Sequence, residues 1–224
     1  MSPRTQTIWI ARHGNRLDFV NPEWFNTAPR RYDPPLSDDG AVQARELADR
    51  LRTEPIRHIF ASPFRRCVQT AHPVAEALDL PIALEWGICE WLNGDWMTEM
   101  PVTAPVEELR ATFPRVDSGY VAIGTPHYPE TEAECLARSG RAAREISDRL
   151  AKLADRPAGD ILFVGHGATV QGMIQAFVDD ETPPRAPLCC LSQVRRNLDA
   201  GEATLELNCD ESHLSQPSAS RRLN

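Results

Sequence analysis

The sequence predicts an α/β fold, with a mostly parallel sheet covered by helices on both faces and a Pro-rich cap inserted over it. Three observations lead there. Short apolar runs rich in β-branched residues alternate with helical periods of ten or more residues, the pattern of βαβ crossovers. The chain has 224 residues, 42% hydrophobic and 25% charged, enough for a core that needs no disulfide or metal staple. Residues 92–129 break the alternation, being Pro-rich and without a clear period, and read as the cap.

The elements follow in order. Thr7-Ile8-Trp9-Ile10-Ala11 is a short buried strand that ends at Arg12-His13-Gly14. The next twenty residues, with Pro22, Pro29, Pro34 and Pro35, are irregular. Ser37 caps a helix whose first turn holds Asp38 and Asp39. Val42, Ala44, Leu47, Ala48 and Leu51 fit its inward face.

His58 to Ser62 is a second strand. Pro63 then opens a helix carried by Cys67, Thr70, Ala71, Val74, Ala75 and Leu78. Ile82-Ala83-Leu84 is a third strand, and a brief helix is expected near Val106 to Phe113 inside the cap. Thr131 starts a long helix to about Ala154, with Leu136, Ala143, Ile146, Leu150 and Leu153 inward. Asp160 to Val164 is the clearest strand, and it runs through Gly165-His166-Gly167 into a helix from Ala168 to Val178. Strands near Leu188–Arg195 and Ala203–Asn208 complete the domain, expected over residues 1–211. Residues 212–224 are polar and expected to be a disordered tail.

Charge narrows the function. The net charge is −8, from 24 basic and 32 acidic residues, which argues against nucleic acid or an anionic membrane as partner. No apolar run reaches the length of a membrane span, and the polar start, Met1 to Gln6, leads us to expect no secretory signal. Of the basic residues 23 are Arg and only Lys152 is Lys, so an Arg beside any single motif carries little weight. The six cysteines form no Cys-x-x-Cys pair. They read as reduced thiols of a cytoplasmic protein, and no Cys/His cluster has zinc-ligand spacing.

In sheets of this kind ligands bind beyond the carboxyl ends of the strands. Two predicted strand ends carry His beside Gly, at His13 and His166, and a third carries Arg65 and Arg66. Guanidinium groups offer paired donors that fit phosphate oxygens. A helix starting after Gly167 adds backbone N–H groups, and a neutral imidazole is a nucleophile toward phosphorus. Each piece alone has a plainer reading: a lone His is usually a polar strand end, and paired Arg residues are as readily a solvated helix face. Cys135 and Arg141 have the Cys-x5-Arg spacing of cysteine-dependent phosphatases, but they lie in a helical pattern after Glu130, Glu132 and Glu134, where no loop could lower the thiol pKa.

Taken together, Arg12-His13-Gly14, the run Ser62-Pro63-Phe64-Arg65-Arg66-Cys67-Val68-Gln69-Thr70-Ala71 and Val164-Gly165-His166-Gly167 resemble the histidine phosphatase superfamily, the phosphoglycerate-mutase-like group. The resemblance covers most of residues 7–208 and implies a three-layer α/β/α sandwich and a phosphohistidine mechanism. Residues 12–20, Asp33-Pro34-Pro35-Leu36-Ser37, Cys67 to His72 and Glu90-Trp91 are similar in turn to the phosphatase domain of the TULA (Sts) proteins. By that resemblance His13 is the nucleophile, and Arg12, Arg16, Arg66 and His166 hold the phosphoryl oxygens. Glu90 protonates the leaving group and then activates water, with Glu85, Asp95 and Glu99 as nearby alternatives.

Asn15 stands where those domains usually have Glu. Asn15 and Trp91 are therefore placed on the substrate side, as lining that Phe19, Trp24, Phe25, Tyr32, Trp96 and Met97 would either extend or merely pack. The expected function is hydrolysis of a phosphomonoester, on a phosphorylated small molecule or a phosphoprotein, with no cofactor and no metal. A mutase-type phosphotransferase is the alternative, though residues 92–129 offer it only Arg110 and Arg115 as basic groups. A catalytically silent phosphate-binding protein is the other. Whether the chain works alone or as a homodimer is left open.

Overall fold

Strand β1 (Thr5–Arg12) shows why both faces of the sheet are covered. Ile8 and Ile10 point into one apolar cluster, Trp9 and Ala11 into the other, and all four are buried. The computed structural model describes residues 3–153, 159–179 and 186–217. The other strands are β2 (Ile56–Ala61), β3 (Ile82–Leu84), β4 (Asp160–Gly165), β5 (Leu191–Asn197) and β6 (Glu202–Asp210), in the order β3-β2-β4-β1-β5-β6. The first four are mutually parallel, whereas β5 and β6 are antiparallel. Strands β2 and β4 repeat the alternation: Ile59, Leu162 and Val164 face one layer, Phe60, Ile161 and Phe163 the other.

One layer holds α3 (Asp38–Leu51), α4 (Arg65–Leu78) and α5 (Val106–Thr112), and the other α6 (Glu132–Ala151) and α7 (Gly167–Gln175). Two single-turn helices, α1 (Leu17–Val20) and α2 (Trp24–Thr27), lie in the loop after β1. The caps are local. The Ser37 hydroxyl accepts the Gly40 N–H at 3.3 Å. Thr131 and Glu134 make a reciprocal capping box at the start of α6.

The start of α4 is held from a distance. The Asp33 carboxylate accepts the Arg65 N–H at 2.7 Å and the Ala104 N–H at 3.3 Å. One buried side chain thus joins the first loop, the helix carrying Arg66 and the cap. The cap packs through Phe64, Cys89, Leu92 and Met97, with Tyr32, Trp86 and Tyr128 against them. Its later part runs beside the sheet, where Val116 bridges Ile82.

Three expectations need correction. Val42 is 40% exposed, and Gly40 and Gln43 take its place on the buried face. The phase of α3 is set by the backbone crossing it: a Cβ on Gly40 would lie 2.1 Å from the Asn15 carbonyl, and one on Gly14 would lie 2.8 Å from the Gly40 carbonyl. Leu153 is 68% exposed because α6 ends at Ala151; Ala154 lies outside the described residues. Packed chain also continues past residue 211. Leu214 is buried in the core and Ser215 N–H donates to Glu46 at 3.3 Å, so residues 212–215, expected in the tail, pack on the domain; residues 218–224 lie outside the described residues. No helix among the described residues is long and apolar enough to cross a membrane.

Candidate active site

The parallel strands deliver the site. Beyond their regular pairing the His13 N–H donates to the Gly165 carbonyl at 3.0 Å and the Ser62 N–H to the Val164 carbonyl at 3.0 Å. The ends of β1, β4 and β2 are thereby locked side by side. His13, His166 and Ser62 follow from chain direction, and Arg66 from the first turn of α4, as the strand ends lead one to expect.

His13 is fully buried, and its Nδ1 lies 2.7 Å from the Gly14 carbonyl. A carbonyl only accepts, so Nδ1 carries the proton and Nε2 keeps its lone pair. Nε2 is buried with no hydrogen-bond partner. Burial, then the charges of Arg66 and Arg12, hold the imidazole pKa well below 6.5. The ring is therefore neutral near pH 7, in the tautomer that presents a free nitrogen.

His166 is its neighbour, with ring centroids 5.3 Å apart. Its Nε2 shares a 2.8 Å hydrogen bond with the Ser62 hydroxyl, and its Nδ1 lies 3.2 Å from Glu90 Oε2. Burial, partly offset by Glu90, lowers its pKa to about 4. Arg66 is also buried. Its Nη2 donates to Glu90 Oε2 at 3.0 Å and lies 3.3 Å from His166 Nδ1. Arg16 reaches the site already paired, with Nε and Nη2 on the two oxygens of buried Asp18 at 2.9 and 2.5 Å. Burial and the Arg66 charge both lower its pKa, the mark of two guanidiniums facing one space. Arg12 donates from Nη1 to the Ala186 carbonyl at 2.7 Å.

Glu90 sits among these groups. Burial pushes its carboxyl up, but His166 and Arg66 outweigh that and hold it well below the usual carboxylate range. Without substrate it is a carboxylate resting on two of the groups assigned to phosphate oxygens. His13, Glu90 and His166 bring three ligand atoms within 4.8 Å of one another, which is the count for a metal. The guanidiniums of Arg66, Arg12 and Arg16 around them repel a cation and attract an oxyanion.

The alternatives to Glu90 are engaged elsewhere or displaced from the strand ends. Glu85 is buried under four hydrogen bonds, from Gly87 N, Tyr120 Oη, Ile123 N and Gly124 N. Asp95 and Glu99 are exposed in the cap.

The substrate-side residues are placed differently from one another. Asn15 turns its amide to α3, donating to Asp39 at 2.7 Å and accepting the Arg16 N–H at 3.0 Å. Trp91 donates its indole N–H to the Glu130 carbonyl at 3.0 Å and meets the exposed Trp96 edge-to-face. Met97 is core. Cys135 is buried in α6, and burial pushes its thiol pKa up, which removes the Cys-x5-Arg reading. Sequence reasoning misses Asp18 and Asp33. Only their spacing, beside Arg16 and before the two prolines, sets them apart from surface acids.

The family model of the histidine phosphatase superfamily (branch 1) matches residues 8–208. The transcription factor tau 55 kDa subunit of Saccharomyces cerevisiae is 42% identical over 140 residues, 59% of this chain and 32% of that protein. The ubiquitin-associated and SH3 domain-containing protein A of Homo sapiens is 28% identical over 220 residues, 80% of this chain and 32% of that protein. The chain thus spans about a third of the length of these relatives. Among solved structures, the ecdysone phosphate phosphatase of Bombyx mori in complex with tungstate superposes with a TM-score of 0.76 at 22% identity, covering 98% of both chains.

Proposed function

This chain belongs to the histidine phosphatase superfamily, and from that premise we propose that it hydrolyses phosphomonoesters through a phosphoryl group carried on His13. The observation that carries the reading is the His13 ring: neutral, its Nδ1 proton committed to the Gly14 carbonyl, its buried Nε2 without a partner, and cationic groups around it.

Nε2 attacks phosphorus in line, and the bond to the ester oxygen breaks as the N–P bond forms. Arg12, Arg16, Arg66 and His166 hold the three equatorial oxygens and offset their growing charge. A phosphate dianion draws Arg66 away from Glu90 and sets a negative charge beside it. Both effects raise the carboxyl pKa, so Glu90 takes up a proton as substrate binds. Glu90 gives that proton to the leaving oxygen. The resulting carboxylate then accepts one from the water that attacks phospho-His13, releasing inorganic phosphate and restoring neutral His13. The guanidiniums supply the charge that a metal would otherwise provide. The substrate is a phosphorylated small molecule or a phosphoprotein.

The mutase alternative finds little support. Arg115 pairs with Asp79 at the C-terminal end of α4, and Arg110 donates to Ser118. Fourteen residues of helix, about 21 Å, separate Asp79 from the end that carries Arg66.

The test is hydrolysis of p-nitrophenyl phosphate by the wild type and His13→Ala, with EDTA, from pH 5 to 8. Activity that survives EDTA and disappears in His13→Ala, with acid-labile phosphate on the wild-type protein, is the expected result. Activity indifferent to the His13 change would overturn the mechanism.

A further inference from the structure

The loop that carries Glu90 has little structure of its own. It is one turn of 3-10 helix, Trp86–Ile88, followed by irregular chain. Its carbonyls are nevertheless gathered by a single side chain from the opposite layer, Arg138 in α6. Arg138 Nη1 donates to the Gly87 carbonyl at 2.9 Å and the Cys89 carbonyl at 3.2 Å. Nη2 donates to the carbonyl of Glu90 itself at 3.2 Å. The remaining donors go to the buried carboxylate of Glu130: Nε to Oε2 at 3.0 Å and Nη2 to Oε1. All five guanidinium N–H groups thus have an acceptor.

Glu130 closes the loop from its other side. Its Oε1 accepts the Leu92 N–H at 3.1 Å, its N–H donates to the Leu92 carbonyl at 3.0 Å, and its carbonyl takes the Trp91 indole N–H. The backbone on both sides of Glu90 is tied to one ion pair whose side chains are 6% and 0% exposed. A buried ion pair is a poor source of stability compared with apolar residues of the same size. Here three of its five N–H groups go to the loop that holds the acid. Neither residue touches the phosphate groups of the site, and no motif in the sequence sets either apart.

We infer that Arg138 and Glu130 form a positioning pair that aims the Glu90 carboxyl at the leaving-group oxygen. The inference rests on the reading of Glu90 as the proton donor. Lysine at 138 keeps the charge near Glu130, but one ammonium cannot span the planar set of acceptors. The loop should relax while the phosphate cradle stays in place.

The experiment measures kcat/KM for an alkyl phosphate, whose leaving group needs a proton, and for p-nitrophenyl phosphate, whose leaving group hardly does. It is done on the wild type, Glu90→Gln, Arg138→Lys and Glu130→Gln. A misplacement near 1 Å costs about 100-fold in a step that depends on geometry. Arg138→Lys should therefore lower the alkyl-phosphate value by about 30- to 100-fold and the p-nitrophenyl value by about threefold. The inhibition constant of inorganic phosphate should stay within about twofold. Glu130→Gln keeps the shape with a weaker hold and should shift the ratio the same way by about fivefold; it carries the test if Arg138→Lys does not fold.

Equal losses on the two substrates, or no loss, in a folded variant would overturn the inference while a selective Glu90→Gln left the acid assignment standing. An unselective Glu90→Gln would instead overturn the acid assignment, and the inference with it.

Discussion

Replacing Arg16 by alanine separates its pairing with Asp18 from the phosphate-holding role proposed for it. Arg16 commits Nε and Nη2 to Asp18, at 2.9 and 2.5 Å, and the proposed mechanism gives Nη1 to a phosphoryl oxygen. Losing one charge-assisted hydrogen bond costs about 2 kcal/mol, so the inhibition constant of inorganic phosphate should rise about 30-fold, with KM for p-nitrophenyl phosphate rising alongside. The same change leaves Asp18 without its partner while its side chain is only 2% exposed. Breaking such a pair costs about 3 kcal/mol, a fall in Tm of roughly 9 °C for a chain of this size. The double variant Arg16→Ala/Asp18→Ala removes the orphaned carboxylate and should recover most of that Tm. It should recover none of the phosphate affinity. Phosphate inhibition and thermal unfolding of the three proteins decide the matter. Unchanged phosphate affinity in Arg16→Ala would remove Arg16 from the pocket. Affinity regained in the double variant would show that the loss had come from folding.

Two further outcomes follow from burial. Cys67, Cys89, Cys135 and Cys189 are buried, with thiol pKa values pushed up by desolvation, that of Cys89 to about 12. Iodoacetamide at pH 7.5 should therefore leave phosphatase activity intact and label Cys209 first among the described thiols; loss of activity in step with labelling of Cys67 or Cys135 would contradict this. His166 has its pKa lowered from 6.5 to about 4 in the folded state, and that of His13 is lowered too. The unfolded chain takes up these protons near pH 6.5 and the folded chain does not. Stability is thus full above about pH 6.5 and lost as pH falls toward 4, at up to about 1.4 kcal/mol per pH unit for each ring. Urea midpoints measured from pH 7 to 4.5 should fall, and fall less steeply in His166→Gln. An equal slope in that variant would refute the assignment.

Much of the fold and of the site is legible in the amino-acid sequence. Ile8 to Ile10 and Ile161 to Phe163 read as buried strands because every residue in them is apolar, as a sheet covered on both faces demands. Gly beside His at two strand ends, and Ser-Pro before paired Arg at a third, mark the pocket because parallel strands deliver their ends to one edge. Helix faces are harder to read. Apolar periodicity puts Val42 and Leu153 inside, whereas the close approach of Asn15 to Gly40 and the end of α6 leave them outside. The residue that stands at Asn15 is legible in the sequence, but the hydrogen bond of its amide to Asp39 is not.

The order of the residues is enough to specify a mostly parallel sheet covered on both faces, and the two histidines and the basic groups that its strand ends bring together. Those depend on local hydrophobic period and on short motifs, which a linear reading sees whole. The ionisation of Glu90, the tautomer of His13 and the bracing of the Glu90 loop by Arg138 and Glu130 emerge only once the layers are packed. Each depends on which atoms meet across them: a carboxylate between a guanidinium and an imidazole, a ring nitrogen against a carbonyl, a guanidinium 48 residues on from the carbonyl it holds. Electrostatic energies vary with those distances and with burial, and neither quantity is written along the chain.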